Sequence, residues 1–574
     1  MRWKIVLSSI LAAYSFSAYA LGTDRAVGTP VVQPQNPVNV QNCLACHQTI
    51  NKLHTRGAHK DVNCASCHTV PADHTTAPSP KTRPATNFDY ASCSQCHTQE
   101  HKDLMDPKYH YAWARKGGNN SYAFIRDTED GWPRILQQRL PRFHPGLMTD
   151  LLANRANGRF KYDSKKEQAI PQEKPWNVLT DTAQENGDQM QGDTIGIGWK
   201  PHKSRETSQL SYCLRCKTSD NILEYKYEMG ENPGGLQINS PVVAMAKNVK
   251  SGFNCNFCHD PHSAEPRIIF DPLIESMSGK DGKNNVYQQN VGAKNMTPIE
   301  VIEMGVRGYK RKIGILKDYN ANFMCGNCHN AANRYLTYKK ISDGKTLTES
   351  DLAKAGVNSY STEFHSDPLT SWKFFKEKGW YGGVDPTTGV KAVKGNDHPH
   401  VEILISSKHG KAGVTCTDCH FAKIGDRFEH QPSLPKEKVQ NTCMRSECHG
   451  PGSKDNWTDY GQALYTIEAI QQEYRIRTQK MEMEAKVAQK LLSQVKEGEI
   501  TIPEPQLTAL KDAYEKHLAT RDFYLTDYSQ GFHDPKGFNR SASLLVWEFR
   551  KANADAKKAM KKVTAQTEQV SANK

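Results

Sequence analysis

Ser211-Tyr212-Cys213-Leu214-Arg215-Cys216-Lys217 holds two cysteines three positions apart, with a lysine directly after the second. Six other stretches have the same cysteine spacing followed by histidine: Cys43/Cys46/His47, Cys64/Cys67/His68, Cys93/Cys96/His97, Cys255/Cys258/His259, Cys325/Cys328/His329 and Cys416/Cys419/His420. Cys-x-x-Cys-His is the pattern of thioether attachment to a c-type haem, the histidine being an axial ligand of its iron. Cys443-Met444-Arg445-Ser446-Glu447-Cys448-His449 is the same unit with a longer spacer. With it and Cys213/Cys216, all 16 cysteines fall into pairs. The expected cofactor content is therefore eight covalently bound haems c, with no free thiol. Zinc also takes clustered Cys and His, but a zinc site does not need the adjacent His or Lys that closes every unit here.

A second histidine on the sixth iron position gives a coordinatively full haem that only passes electrons. The chain has 22 histidines, so many lie outside the motifs. His54, His59, His74, His101 and His110 fall between or just after the first three motifs, and His144 lies in a motif-free segment. His262 follows His259 by three residues, while His398, His400 and His409 precede the seventh motif and His430 follows it. The candidates for sixth ligands from this set are His59, His74, His110, His144, His262, His409 and His430. Lys217 is different: an amine must lose its proton to bind iron, so burial and the metal have to lower its pKa. The sixth position of that haem is then expected to stay open for substrate.

Only 37% of the 574 residues are hydrophobic, so the core is expected to be filled in part by porphyrin rather than protein. Arg2 and Lys4, the apolar run Ile5 to Ala13 and the small-x-small site Ala18-Tyr19-Ala20 read as a secretory signal, with the mature chain beginning near Leu21. A periplasmic protein without a membrane span is expected, since no later apolar run is long enough to cross a bilayer. The net charge of +13 is read as neutralising haem propionates and drawing in small anions rather than as binding nucleic acid. The expected fold is a mainly α multihaem cytochrome c with little β, a haem-packed core and a C-terminal bundle of long helices. Residues 1–20 are read as the signal peptide, 21–110 as a trihaem electron-transfer domain, 111–450 as a catalytic pentahaem domain and 451–574 as the helical segment. Apolar residues at Leu464, Ile467, Tyr474, Met481, Val487, Leu491 and Val495 predict a helix over 457–495. Pro503 and Pro505 are read as breaking it, with further helices over 506–527 and 538–563. Residues 270–320 and 336–395 are read as loop and short helix, without strand alternation.

The stretches NCLACHQTINKLHTRGAHKDVNCASCH (42–68), CLRCKTSDNIL (213–223), NCNFCHDPHSAEPR (254–267) and HPHVEILISSKHGKAGVTCTDCH (398–420) resemble the ammonia-forming cytochrome c nitrite reductases. The resemblance to their octahaem branch covers nearly the whole mature chain. It implies six-electron reduction of nitrite to ammonium, reduction of hydroxylamine, and slower reduction of sulfite. It also implies Lys217 as proximal ligand, His398 as distal catalytic histidine, and Arg155 as the distal arginine, with Arg159 its rival in Asn154-Arg155-Ala156-Asn157-Gly158-Arg159. His409, His430 and His533 match structural haem ligands of the family. An arginine can hold an oxyanion and a histidine can deliver protons, which suits these roles.

The chain departs from the family at three neighbouring positions. Ala331 and Ala332 stand where the family has an acid and a catalytic tyrosine, and Arg334 replaces the cysteine that the octahaem branch crosslinks to that tyrosine. Tyr335 is the nearest tyrosine that could serve instead. The lost acid, and Asp397 in place of glutamine before His398, put the implied calcium in doubt. His400 replaces a glutamate and is read either as a second proton donor or as a surface residue. The expected function is reduction of nitrite or hydroxylamine, with electrons from a redox donor protein or quinol-linked cytochrome, in a homo-oligomer. Reduction of another small oxyanion such as sulfite, and a non-catalytic electron conduit, are the alternatives. Hydroxylamine oxidation is a third reading, and Lys217 argues against it.

Overall fold

The computed structural model describes residues 32–87, 90–105, 160–163, 168–171, 255–278, 299–304, 311–316, 321–330, 366–377, 381–393, 399–525, 527 and 529–572. These residues are mainly helical, with small antiparallel sheets. The N-terminal part consists of α1 (Val40–Cys46), α2 (Gln48–His54), α3 (Tyr90–Ser94), α4 (Thr98–Met105) and a ribbon of β1 (His68–Thr69) with β2 (Ala85–Thr86). Its helices are short because each motif is one turn that must stop at its histidine. Asparagine starts two of these turns: Asn39 accepts from Gln41 N (3.0 Å) and Asn63 accepts from Ala65 N (3.0 Å). Asn63 also exchanges hydrogen bonds with both backbone groups of Val38, tying down the arm before α1.

After the hairpin β3 (Phe160–Asp163) and β4 (Gln168–Pro171) comes β5 (Arg267–Ile268), then α5 (Asp271–Ser278), β6 (Ile299–Met304) and β7 (Arg311–Leu316). β7 lies between β5 and β6 in a three-stranded antiparallel sheet. This corrects the reading of 270–320 as loop and short helix. Ile302 and Met304 alternate with exposed Val301 and Glu303, and Ile313 and Ile315 on β7 join them in one cluster with Leu53 of α2 and Phe257. The second cluster joins Ile268, Phe270, Leu273, Ile274 and Leu316 to Phe323, Val401 and Ile405. Cys258 packs against both clusters, so this small sheet is wedged between two apolar layers that each touch a haem motif.

The chain continues through α6 (Ala321–Cys325), α7 (Pro368–Glu377) and the hairpin β8 (Tyr381–Val384) with β9 (Lys391–Val393), which corrects the strand-free reading of 336–395 as well. Next come α8 (His400–Ser406), α9 (Lys408–Lys411), α10 (Cys416–His420) and the ribbon of β10 (Lys423–Ile424) with β11 (Arg427–Phe428). The C-terminal bundle is α11 (Tyr460–Lys496), α12 (Glu504–Leu525) and α13 (Pro535–Ala572). On α11, Ile467, Tyr474, Met481 and Ala488 recur every seven residues and are all buried: Met481 and Ala488 pack in clusters with α12 and α13, Tyr474 packs on Phe538 of α13, and Ile467 packs on Val439. α11 ends at Lys496, ahead of Pro503 and Pro505, and Pro505 lies in the first turn of α12, where its missing N–H has no partner to lose. Trp372 of α7 docks on α12, its Nε1 donating to Glu515 (3.1 Å) between the ammonium groups of Lys376 and Lys516, each 5.0 Å from the ring centre. Among the described residues no helix is long and apolar enough to cross a membrane.

His517 on α12 is buried between these helices, 3.5 Å from Glu482 of α11, with its Nδ1 lacking a hydrogen-bond partner. Burial lowers its pKa, so the folded chain resists a proton that the unfolded chain accepts. This contribution to stability is intact above the ordinary histidine pKa of about 6.5 and declines as the pH falls below it. Replacing His517 with Gln is expected to flatten that acid-side decline, measured as the denaturation midpoint of variant against wild type from about pH 7 down to about pH 5.

Candidate haem centres

Four of the regular motifs close on themselves in the same way: the histidine N–H donates to the carbonyl of the first cysteine, from His47 to Cys43 (2.9 Å), His97 to Cys93 (3.0 Å), His259 to Cys255 (3.0 Å) and His329 to Cys325 (2.9 Å). One helical turn thus presents both sulfurs and the imidazole on one side. The longer unit keeps that bond, His449 N donating to Cys443 O at 2.9 Å, and its two extra residues loop out. None of the 14 described cysteines is in a disulfide. The motifs also neighbour one another in series. Burial pushes the Cys64 thiol up to about 11, with Cys43 beside it, and the Cys67 thiol up to about 11, with Cys93 and Cys96 beside it. Cys255 meets Cys93, Cys325 meets Cys416, and burial pushes Cys258 up to about 12 beside Cys325 and Cys419 up to about 12 beside Cys443.

Motif histidines face second histidines from elsewhere in the chain. Ring centres are 6.3 Å apart for His47 and His74, 6.4 Å for His68 and His262, 5.9 Å for His97 and His59, 6.3 Å for His420 and His533, and 6.1 Å for His449 and His409. An iron about 2 Å from each nitrogen, with about 1 Å more to each ring centre, requires about 6 Å. The spacing therefore fits an iron between each pair. His430 lies near enough to His259 to disfavour its charged form. Burial lowers the pKa of His47, His97, His409, His420 and His430, brings His68 and His259 down to about 4, and takes His533 well below its usual value. These rings are neutral at neutral pH, the form that binds a metal. The other ring nitrogen is anchored: Nδ1 of His259, His420 and His449 donates to the carbonyls of Ala264 (3.0 Å), Ser433 (2.9 Å) and Asp455 (3.0 Å), and Nδ1 of His59 to Pro261 (2.8 Å). That leaves Nε2 unprotonated and turned toward the partner ring.

Residues 259–263 serve several of these centres. Asp260 accepts from His262 N (3.0 Å) and Ser263 N (2.9 Å) through Oδ1, while Oδ2 pairs with Arg267 Nη1 (3.3 Å); both side chains are fully buried. Arg267 also donates from Nε and Nη2 to the Asn256 carbonyl (3.0 and 2.6 Å). The loop so held supplies His259, His262 and the carbonyl that anchors His59. Gly57 lies so close that a Cβ there would be 2.1 Å from Ser263 O, and Ala58 N donates to that same oxygen at 3.0 Å. Asn327, inside the sixth motif, accepts from Ile269 N and donates to the carbonyls of Phe257 and Arg267, fixing that motif to the fifth.

Lys217, Cys213, Cys216, Arg155, Arg159, His398, Tyr335, His110, His144, Ala331, Ala332 and Arg334 lie outside the described residues. His54 uses its Nε2 on the Val62 carbonyl (2.9 Å). His400 is not at the surface: it is 8% exposed, with Nδ1 2.9 Å from Nδ1 of His329. Trp457 stacks on His449 at 4.3 Å and 13°, a contact that no sequence pattern announced.

Paired, buried imidazoles beside Cys-x-x-Cys turns define a multihaem c-type cytochrome. The family model for cytochrome c552 matches residues 187–573, and the chain belongs to that family. Covalently bound haem c is the cofactor that membership implies. The chain is 22% identical over 350 residues to the cytochrome c nitrite reductase subunit NrfA of Nitratidesulfovibrio vulgaris, covering 56% of this chain and 55% of that one. It is 23% identical over 253 residues to cytochrome c-552 of Bacteroides thetaiotaomicron, covering 43% and 41%. The chain thus spans about half the length of the curated relatives it matches. A solved structure of cytochrome c nitrite reductase from Desulfovibrio desulfuricans, described for its two calcium sites, superposes with a TM-score of 0.40 at 18% identity, over 61% of this chain and 66% of that one.

Replacing Arg267 with Met leaves Asp260 as an uncompensated buried charge, expected to cost about 3–5 kcal/mol. The check is the denaturant midpoint of the holoprotein, together with faster amide exchange over residues 256–267.

Proposed function

We propose that this chain is a periplasmic octahaem cytochrome c that reduces nitrite, hydroxylamine or both to ammonium at a haem held by Lys217. The observation that carries the reading is Cys213-Leu214-Arg215-Cys216-Lys217, which falls within the stretch matching the family and is the one motif that ends in an amine. Haem iron supplies electrons and a binding position for the substrate nitrogen. Lys217, as a neutral amine, would hold the iron. Arg155 holds the substrate oxyanion, and His398 and Tyr335 supply protons. Eight haems bind at Cys43/Cys46, Cys64/Cys67, Cys93/Cys96, Cys213/Cys216, Cys255/Cys258, Cys325/Cys328, Cys416/Cys419 and Cys443/Cys448.

His74, His262, His59, His430, His533 and His409 would be the sixth ligands opposite His47, His68, His97, His259, His420 and His449; iron-sized gaps support every pairing but that of His430 with His259, which rests on their electrostatic interaction. Of the remaining candidates, His110 and His144 are kept as ligands for the haem on His329. Residues 1–20 export the chain, 21–110 admit electrons from a donor protein or quinol-linked cytochrome, 111–450 reduce substrate, and 451–574 brace them. The neighbouring motifs support a continuous path between these segments. Ala331, Ala332 and Arg334 favour a second reading, in which a related oxyanion such as sulfite is the substrate and calcium is absent.

The test follows oxidation of a reduced viologen by nitrite, hydroxylamine and sulfite, in wild type and Lys217→His. Wild type is expected to turn over nitrite or hydroxylamine and to show a high-spin haem signal, and the variant to lose about 100-fold or more, some 3 kcal/mol in the barrier. Absence of both turnover and high-spin signal in wild type would sink the reductase reading.

Exposed Tyr465, Ile476 and Met483 on α11 and Leu544 and Trp547 on α13 support self-association through the bundle. A dimer in light scattering that Trp547→Glu converts to monomer is the expected result.

A further inference from the structure

We propose that His400 is the hydrogen-bond acceptor that strengthens His329 as an iron ligand and lowers the potential of the haem at Cys325/Cys328. This inference rests on reading Cys325-Gly326-Asn327-Cys328-His329 as a haem motif. His400 opens α8 and is buried, and its Nδ1 faces Nδ1 of His329 at 2.9 Å. The next residue reinforces the contact, Val401 N donating to the His329 carbonyl at 3.2 Å. The ring centres are 5.1 Å apart, and an iron between two ring nitrogens needs about 4 Å from one to the other. His400 is therefore not the sixth ligand of this haem but a partner of its fifth.

The protons follow from the bonding. An imidazole that binds iron through Nε2 carries its hydrogen on Nδ1. His329 is then the donor, and His400 accepts on Nδ1 and keeps its own hydrogen on Nε2. The other described motif histidines with an anchored Nδ1 have weaker bases opposite: carbonyls for His259, His420 and His449, and the Thr86 hydroxyl for His68 (3.1 Å). An imidazole nitrogen is far more basic than an amide oxygen. It draws the Nδ1 hydrogen further from His329, makes that ring more electron-rich, and favours ferric over ferrous iron. The ring of His400 also packs T-shaped against that of His533, with 5.8 Å between centres, and His533 is the ring facing His420. His400 thus positions a ligand of one haem while touching a ligand of the next.

The test is a redox titration of the full-length holoprotein, followed by optical and EPR spectra, for wild type, His400→Phe and His400→Glu. His400→Phe keeps a ring but removes the acceptor; one haem is expected to rise in midpoint, with its ferrous-to-ferric ratio at fixed potential up about tenfold, or 59 mV for one electron. His400→Glu supplies an anionic acceptor and should move the same haem downward. If the Phe variant does not fold, His400→Gln, whose amide oxygen accepts as a carbonyl does, takes its place with a smaller rise. Unchanged midpoints, or shifts of one sign in both variants, overturn the proposal. Mass spectrometry of the Cys325–Cys328 peptide separates two failures. A peptide without haem in wild type sinks the motif reading and this inference together, whereas haem present with no shift sinks the inference alone.

Discussion

The buried pair of Asp260 and Arg267 is the interaction on which the described haem centres most depend. Two charges taken out of water are costly unless every remaining lone pair and proton is used. Here the carboxylate also takes two backbone N–H groups and the guanidinium two bonds to one carbonyl. The result is a rigid loop of five residues that offers one histidine to its own motif, one to the motif at Cys64/Cys67, and a carbonyl to the ring facing His97. A lysine could not replace Arg267, because a single ammonium lacks the planar fork that reaches Asp260 and Asn256 at once.

Burial explains why so many histidines can be crowded together. A charged imidazole loses hydration in the interior, so these rings are held neutral, and neutral rings about 6 Å apart do not repel as cations would.

Motif cysteines and histidines were legible because covalent attachment needs them contiguous, and the long helices because the recurrence of Ile467, Tyr474 and Met481 extends over many turns. The sheet at 299–304 and 311–316 was not, since two six-residue strands show only two or three alternations each. The pairing of histidines was not legible either. His262 stood out by its place beside His259, yet nothing in its neighbourhood says that it faces His68 rather than another ring. His400 shows the same limit: a surface residue and a ligand's partner have one spelling, and only the position of α8 against the sixth motif separates them.

The ring opposite His68 belongs to a segment made long after it, and the ring opposite His420 arrives only with the residues just before the last helix. On the haem reading, a nascent chain emerging in order would carry porphyrin at its early motifs while their sixth positions stood vacant. Biogenesis then has a built-in sequence: the first centres stay exposed to adventitious small molecules until the loop at 259–263 closes over them, and truncation near the C-terminus would leave an internal centre unfinished. Completion of the haem centres in such a chain is thereby coupled to reaching its end.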